Sequence, residues 1–292
     1  MSELLSGAKI AIAGLGLMGG SLGLALKDTP AEVVGIEIDP DAAAEALRRG
    51  AASEVCTADE AESILDDCDL LILGVPAGEM AEVLRSLSAQ LPRGCLITDL
   101  GGAMCQIEDQ LRPLVPQGAA YIPGHPMAGS EKVGIWGAKK DLYSEAWWLL
   151  TSSPPELLSQ VIESAGARPM VMDAKEHDRI IARTSHLPHL MAHAAAKAVQ
   201  SMDDVNNRSL RALTGGGFRD TTRVAAGSAA AAADMCLYNK DQLLGALEEA
   251  IQQLQKTRTQ LRRDDRRGLR QRLHEVSQWL SRQGGMHCEN IS

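Results

Sequence analysis

Along the first half of the chain, short apolar runs alternate with amphipathic stretches. The runs are KIAIAG (9–14), EVVGIEI (32–38), DLLILGV (69–75), CLITDL (95–100), AYIPG (120–124) and WWLLTS (147–152). They are strand-length and mostly aliphatic or aromatic, so each predicts a strand. Between them, DAAAEALRRG and AGEMAEVLRSLSAQL carry helical spacing. Strands alternating with helices predict a mainly parallel sheet covered by helices. A further helix, PPELLSQVIESAG, and a short run, RPMVMDA, close this first domain near residue 173.

From Lys175 the pattern changes. KEHDRIIARTSHLPHLMAHAAAKAVQSM and AAAAADMCLYNKDQLLGALEEAIQQLQKTRTQLRR both read as helix. TGGGFRDTTRVAAGS between them reads as a loop or broken helix, because consecutive glycines disfavour helix. The expected architecture is α/β: a sheet domain over 1–173, then an all-α domain over 174–292. The final stretch, QGGMHCENIS (283–292), is expected to fray. No internal repeat is visible.

The first strand run leads straight into GLGLMG, Gly14 to Gly19, which fits G-x-G-x-x-G and opens the helix-like SLGLALKD. The first glycine permits the tight turn, the second lets backbone approach a pyrophosphate, and the third allows close helix–strand packing. The helix N-terminus favours the phosphate charge. In that context Gly14, Gly16, Leu17, Met18 and Gly19 are candidate cofactor contacts, and the doubly wound sheet is expected to be of the Rossmann type. Glu37 lies at the end of the second strand run, where a carboxylate holds a ribose 2′-OH and repels a 2′-phosphate, so NAD is favoured over NADP. Asp39 could do the same work.

Composition and charge change this picture little. At 292 residues the chain holds one large or two modest domains, and 45% apolar with 23% charged residues is ordinary for a globular protein. No window approaches the roughly 18 apolar residues of a membrane span. MSELLSGAKIAIAG lacks the basic flank of a signal peptide and reads as a first strand. A net charge of −9 argues against nucleic acid as a partner. The basic stretch between Lys256 and Arg282 reads as a solvated helix face and tail. Six cysteines without CxxC spacing point to a reducing cytoplasm, mostly buried thiols and no zinc site.

Candidate chemistry follows the fifth run. GHPMAGSEKVG (124–134) puts His125 in a glycine-rich loop at a strand's carboxyl end, where ligands of such sheets sit. A histidine there can accept a proton from a substrate hydroxyl as hydride leaves the same carbon. SHLPHLMAH places His186, His189 and His193 on one helix face, with Pro188 tolerable if Ser185 caps the helix. No carboxylate or cysteine completes a metal set there, so no metal is expected. GGGFRDTTR gathers Arg219, Asp220 and Arg223, and an arginine there can clamp a carboxylate.

GLGLMGGS, GHPMAGSEKVG, SHLPH and GGGFRDTTR, in this order, resemble the prephenate/arogenate dehydrogenase family of tyrosine biosynthesis over roughly residues 8–260. The resemblance implies a Rossmann domain followed by a helical domain that forms a homodimer. It also implies oxidative decarboxylation of prephenate to 4-hydroxyphenylpyruvate and CO2 with NAD(P) taking the hydride. By motif, His125 would accept the proton of the C4 hydroxyl and Arg223 would bind the ring carboxylate. His189 would contact the side-chain end of the substrate and His186 would support the site. Glu131 and Asp220 would order or gate it.

Two departures from the family pattern stand out. Where members commonly carry D-x-x-S-V-K, this chain has Asp99-Leu-Gly-Gly-Ala-Met104, so Gly102 replaces the serine that bonds the catalytic histidine, and Met104 the lysine. His125 then needs an orienting partner elsewhere, such as water. A tryptophan nine residues beyond the arginine is common in prephenate-using members, and position 232 is alanine here. A roomier pocket would admit arogenate or an amino-substituted analogue. A β-hydroxyacid dehydrogenase would carry its catalytic lysine on a G-x-x-x-K helix, and SHLPH and GGGFRD have no place in that reading. A catalytically silent NAD-binding regulator fits Gly102 and Ala232, but not the retention of His125, His189 and Arg223.

Overall fold

The computed structural model describes residues 3–202 and 208–282, so the expected frayed tail and Cys288 lie outside the described residues. Six strands build the main sheet: β1 (Lys9–Ala13), β2 (Glu32–Ile36), β3 (Glu54–Cys56), β4 (Leu70–Leu73), β5 (Leu96–Asp99) and β6 (Ala120–Ile122). All pair in parallel, in the order β3-β2-β1-β4-β5-β6. This is the Rossmann-type doubly wound sheet expected from the strand–helix alternation. Strands β1 and β4 are aliphatic and almost wholly buried, as a sheet covered on both faces requires. One core lies on each face. Ile10, Ile12, Leu70 and Ile72 point into one, and Ala11, Ala13, Leu71 and Leu73 into the other. The strand order reverses between β1 and β4, and the carboxyl ends at that reversal are where such sheets bind ligands.

Three corrections to the sequence reading concern strands. β3 gave no signal, because Glu54-Val55-Cys56 is short and only partly apolar. WWLLTS does not join the main sheet. Strand β8 (Trp147–Leu150) lies in a separate three-stranded sheet, antiparallel to β7 (Gly124–Pro126) and parallel to β9 (Arg168–Val171). His125 is therefore on a strand, paired with Leu149, and not in a loop. Pro123 lacks an N–H and ends the β6 ladder. Gly124 then passes so close to β5 that a Cβ would sit 2.8 Å from the Asp99 carbonyl oxygen.

The described residues beyond 174 are helical apart from their connections, and here too the boundaries differ. Ala174–Ile181 and Leu187–Gln200 run on through a wide π turn at Ala182–His186. Ser185 lies inside that turn and caps nothing; Asp173 caps the helix start by accepting from Lys175 N and Glu176 N. Pro188, which has no N–H to give, follows directly on the turn, where the regular hydrogen-bond ladder is already interrupted. The glycine-rich stretch is a broken helix. Gly215 caps Gly216–Thr222, so the glycines sit at the helix start rather than its interior. The long Ala/Leu stretch is two helices, Ala229–Tyr238 and Lys240–Arg262, separated by buried Asn239.

The chain divides into two compact units, Met1–Leu243 and Leu244–Ser292. The second contains most of helix Lys240–Arg262 and helix Arg266–Arg282. Arg272 Nη2 ties these two together by donating to the Gln253 carbonyl at 2.9 Å and Thr257 Oγ1 at 3.0 Å. Among the described cysteines all five are free; Cys68 and Cys95 are buried, while Cys56, Cys105 and Cys236 are only partly so, fewer buried thiols than expected. No described helix is long and apolar enough to cross a membrane.

Close packing under helix Leu17–Leu26 gives a test of the fold. A helical Gly→Ala exchange normally stabilises by about 0.5–1 kcal/mol. A Cβ on Gly23 would lie 1.9 Å from the Ala51 carbonyl oxygen. Gly23→Ala is expected to destabilise instead, by about 1–3 kcal/mol, the cost of overpacking. Urea denaturation reads the sign directly, and a stabilised variant would refute this packing.

Candidate active site

At the sheet reversal, the glycine loop has the geometry its sequence requires. Gly14 has φ +90°, and a Cβ there would meet Val75 N at 2.7 Å. A Cβ on Gly19 would lie 2.0 Å from the Gly14 carbonyl oxygen. These two glycines let helix Leu17–Leu26 sit against β1. Gly16 is different: its Cβ direction is open, and it precedes the helix without any side-chain cap. Backbone N–H groups at this helix start are therefore available to an anion. Gly16, Leu17 and Met18 line a cleft of about 660 Å³, whereas Gly14 and Gly19 do not line it.

Glu37 lies over the same loop. Its Oε2 accepts from Leu15 N at 2.8 Å, and its Oε1 from Ile38 N and Asp39 N at 2.9 and 3.0 Å. The carboxylate is thereby fixed beside the glycine turn, with acceptor capacity left for hydroxyls. Asp39 is committed to the next helix, where it accepts from Asp41 N and Ala42 N. The loop, the uncapped helix start and the fixed carboxylate together fit a dinucleotide.

The other end of the candidate site is built around a chain of rings. His125 Nδ1 lies 2.8 Å from His177 Nε2, and His177 Nδ1 lies 2.8 Å from Asp178 Oδ1. Asp178 also accepts from Met104 N at 2.8 Å and Cys105 N at 2.9 Å. His177 and Asp178 are buried. Burial works to raise the Asp178 carboxyl, but the hydrogen bonds from His177 and the two backbone N–H groups hold it below its ordinary value. His125 is pushed down to about 3, by burial first and then by His177 and His186, so its ring is neutral at neutral pH. Its other nitrogen, Nε2, faces Gly102, where a Cβ would be 3.9 Å away. Gly102 lines the cleft, and His125 stands behind it.

The π turn puts further groups at this point. Asp178 and His186 are eight positions apart. A regular helix would set them about 80° apart at about 100° per residue. One residue absorbed in the wide turn cuts the offset to about 20°. His186 is buried and shares Asn239 with the helix: Asn239 Nδ2 donates to the Asp178 carbonyl at 2.8 Å and lies 3.3 Å from His186 Nδ1. Burial pushes His186 down to about 4, against a hydrogen bond to the Gly102 backbone. Asp99 underlies the same segment. Its buried carboxyl accepts from Tyr121 Oη at 2.7 Å and Gly101 N at 2.8 Å, and burial raises it to about 6 despite those bonds.

His189, Glu131 and Arg223 line the cleft from further along, as does Ala232. Arg223 Nη1 meets Glu131 Oε2 at 3.3 Å. Glu131 lies below its ordinary value through a backbone hydrogen bond and the Arg223 charge. His189 packs its ring 5.1 Å from that of His193, and its Nδ1 is buried without a partner among the described residues. Arg219 and Asp220 lie outside the cleft lining. Arg219 Nη1 donates to the Thr214 carbonyl, and Asp220 is exposed near Gly216. The structure thus brings His125, His186, His189, Glu131 and Arg223 toward one cleft, and leaves Asp220 apart. The sequence reading missed His177, Asp178 and Asn239. The adjacent His-Asp pair in KEHDRI was the available signal, along with a proline in mid-helix.

Comparison with known proteins places the chain in a family. Residues 22–168 match the family model for the prephenate dehydrogenase nucleotide-binding domain, and residues 173–275 that for the prephenate dehydrogenase dimerization domain. Prephenate dehydrogenase of Bacillus subtilis (strain 168) is 32% identical over 269 residues, covering 89% of this chain and 72% of that one. Prephenate dehydrogenase of Aquifex aeolicus, solved with hydroxyphenyl propionate and NAD+, superposes with a TM-score of 0.85 at 26% identity, over 95% of this chain and 99% of that one. Synechocystis arogenate dehydrogenase superposes with a TM-score of 0.74 at 27% identity, over 94% and 99% of the two chains. The fold, the glycine loop, the histidine at the sheet's carboxyl edge and these matches converge: the chain belongs to the prephenate dehydrogenase family.

Proposed function

We propose that the protein converts prephenate to 4-hydroxyphenylpyruvate and CO2, with His125 as the base. The observation that carries this reading is the approach of His125 Nε2 to Gly102, a residue that lines the same cleft as the glycine loop and Arg223. NAD, when bound, accepts the hydride from C4. His125, neutral and able to accept, takes the hydroxyl proton as that hydride departs, and returns it to the phenol oxygen once loss of CO2 has made the ring aromatic. Arg223 holds one of the two substrate carboxylates, and His189 meets the substrate on the same wall. Glu131, paired with Arg223, gives way when that carboxylate arrives. Asp220, outside the cleft lining, would act on the ordering of the Arg223 segment rather than on substrate.

Two features of the cleft favour arogenate as a second substrate. Ala232 leaves room on the wall, and the Asp234 carboxylate, 3.4 Å from Gly78 N, lines the same cleft and would attract an ammonium group. The reading carries with it the domain division at 173/174, a homodimer formed through the helical region, and a reducing cytoplasmic setting in keeping with the free thiols.

Purified protein given prephenate and NAD is expected to produce reduced cofactor and CO2 in equal amounts. Parallel assays with arogenate rank the two substrates by kcat/KM. Binding of NAD without reduction on either substrate would leave the silent regulator as the better reading.

Glu37 fixed over the glycine turn generates a cofactor prediction. The unmodified enzyme is expected to prefer NAD, and Glu37→Ser to shift the ratio of kcat/KM values toward NADP. Equal use of both cofactors before substitution would overturn it.

For the anion clamp, Arg223→Ala is expected to raise KM for prephenate about 10- to 100-fold, the loss of about 1.5–3 kcal/mol for a hydrogen bond to a charged group, with NAD binding unchanged. Arg219→Ala is expected to do much less, since its guanidinium bonds Thr214 outside the cleft lining. The reverse ranking in steady-state kinetics would move the clamp to Arg219.

A further inference from the structure

We propose that Asp178, acting through His177, fixes the tautomer of His125 with its proton on Nδ1, so that Nε2 is the nitrogen that accepts the substrate proton. This rests on the reading of His125 as the base and adds which atom does the work and what holds it ready.

The assignment follows from counting protons along the chain of rings. An ionised carboxylate only accepts. Asp178 already accepts two backbone N–H groups, from Met104 and Cys105, which fix its oxygens in place. The 2.8 Å contact with His177 therefore puts a proton on His177 Nδ1. With that proton placed, His177 Nε2 offers a lone pair. The 2.8 Å contact between His177 Nε2 and His125 Nδ1 then needs its proton from His125. Nδ1 of His125 becomes the N–H and Nε2 the lone pair. Nε2 is also the nitrogen nearest Gly102, a residue that lines the cleft.

This chain supplies what the missing serine does not. A side-chain hydroxyl at position 102 would have approached His125 from the Nε2 side, because a Cβ there points to within 3.9 Å of that atom. Glycine brings no polar group to that side and leaves Nε2 to the substrate. The orienting contact comes instead from Nδ1, the far edge of the ring. When Nε2 gains a proton, the charge on His125 lies one ring away from a buried carboxylate. His177 and Asp178 are thus positioning residues that touch neither substrate nor cofactor. Their two contacts fix ring orientation and proton location together.

The test reads the tautomer itself. Long-range 1H–15N spectra of 15N-histidine-labelled protein with NAD bound, with the His125 signals identified by their loss in His125→Asn, are expected to show a proton on Nδ1 and a bare Nε2. A proton on Nε2 of His125 in the unmodified protein would overturn the proposal. His177→Phe removes the acceptor and is expected to shift the His125 proton to Nε2, lowering kcat about 100-fold with little change in KM. His177→Gln keeps an acceptor oxygen and is expected to retain the Nδ1 proton and most of kcat. Should His177→Phe fail to fold, the spectrum of the unmodified protein and the His177→Gln variant still decide. Equal kcat in His177→Phe and the unmodified enzyme, with the tautomer shifted, would also overturn it. Normal turnover by His125→Asn would instead defeat the reading of His125 as the base, and that result is separate from the tautomer found in the spectrum.

Discussion

The buried carboxylate of Asp178 is the point on which the histidine end of the candidate site depends. It belongs to the helix that begins at Ala174, yet its oxygens hold the backbone of Met104 and Cys105, just beyond the end of β5. One side chain therefore fixes the Gly102–Cys105 segment to the helices and aligns His177. A charge so deeply placed persists only when its acceptor positions are filled. His177, the Met104 and Cys105 N–H groups and the Cys105 thiol satisfy it here, and removing the carboxylate would take that acceptor from each of them. Sheet, helix and ring chain are set by the same group.

The remaining geometry grows from close backbone approach. Gly14 and Gly19 bring the first helix down onto β1, and Gly124 brings β7 against β5. Each allows a contact that a single methyl group would block. The glycine loop and His125 therefore converge on the carboxyl edge of one sheet, although more than a hundred residues separate them in sequence. Aliphatic strands buried on both faces supply the rigid frame for that edge.

Much of this was legible in the sequence because its cause is local. Strand–helix alternation gave the parallel sheet, and GLGLMG gave the uncapped helix start. The basic stretch toward the C-terminus falls on helices whose charged side chains are largely exposed, as its composition suggested. What escaped had nonlocal causes. β7 is a strand only because Leu149 and its neighbours pair with it, and no periodicity exists over Gly-His-Pro to announce that. The π turn is invisible to a pattern that assumes a constant rotation per residue, so the alignment of Asp178 with His186 could not be read from spacing. Gly102 looked like a lost partner for His125 because only the motif was in view. The partner that the fold provides lies some fifty residues on, in a His-Asp pair that periodicity marks as ordinary helix.

Under the role proposed for Arg223, its ion pair with Glu131 makes binding at that end of the cleft an exchange. A carboxylate arriving at Arg223 replaces one already supplied by the protein, so its gain is the difference between two contacts. Glu131 offers a single contact at 3.3 Å and is exposed, so its return to water costs little. A ligand that engages the guanidinium through both oxygens forms the stronger, planar pair. One that reaches it through a single oxygen only matches what it displaces. With Arg223 in the proposed role of carboxylate clamp, the internal carboxylate would filter ligands by the number of oxygens they present in one plane, and give up some affinity to do so.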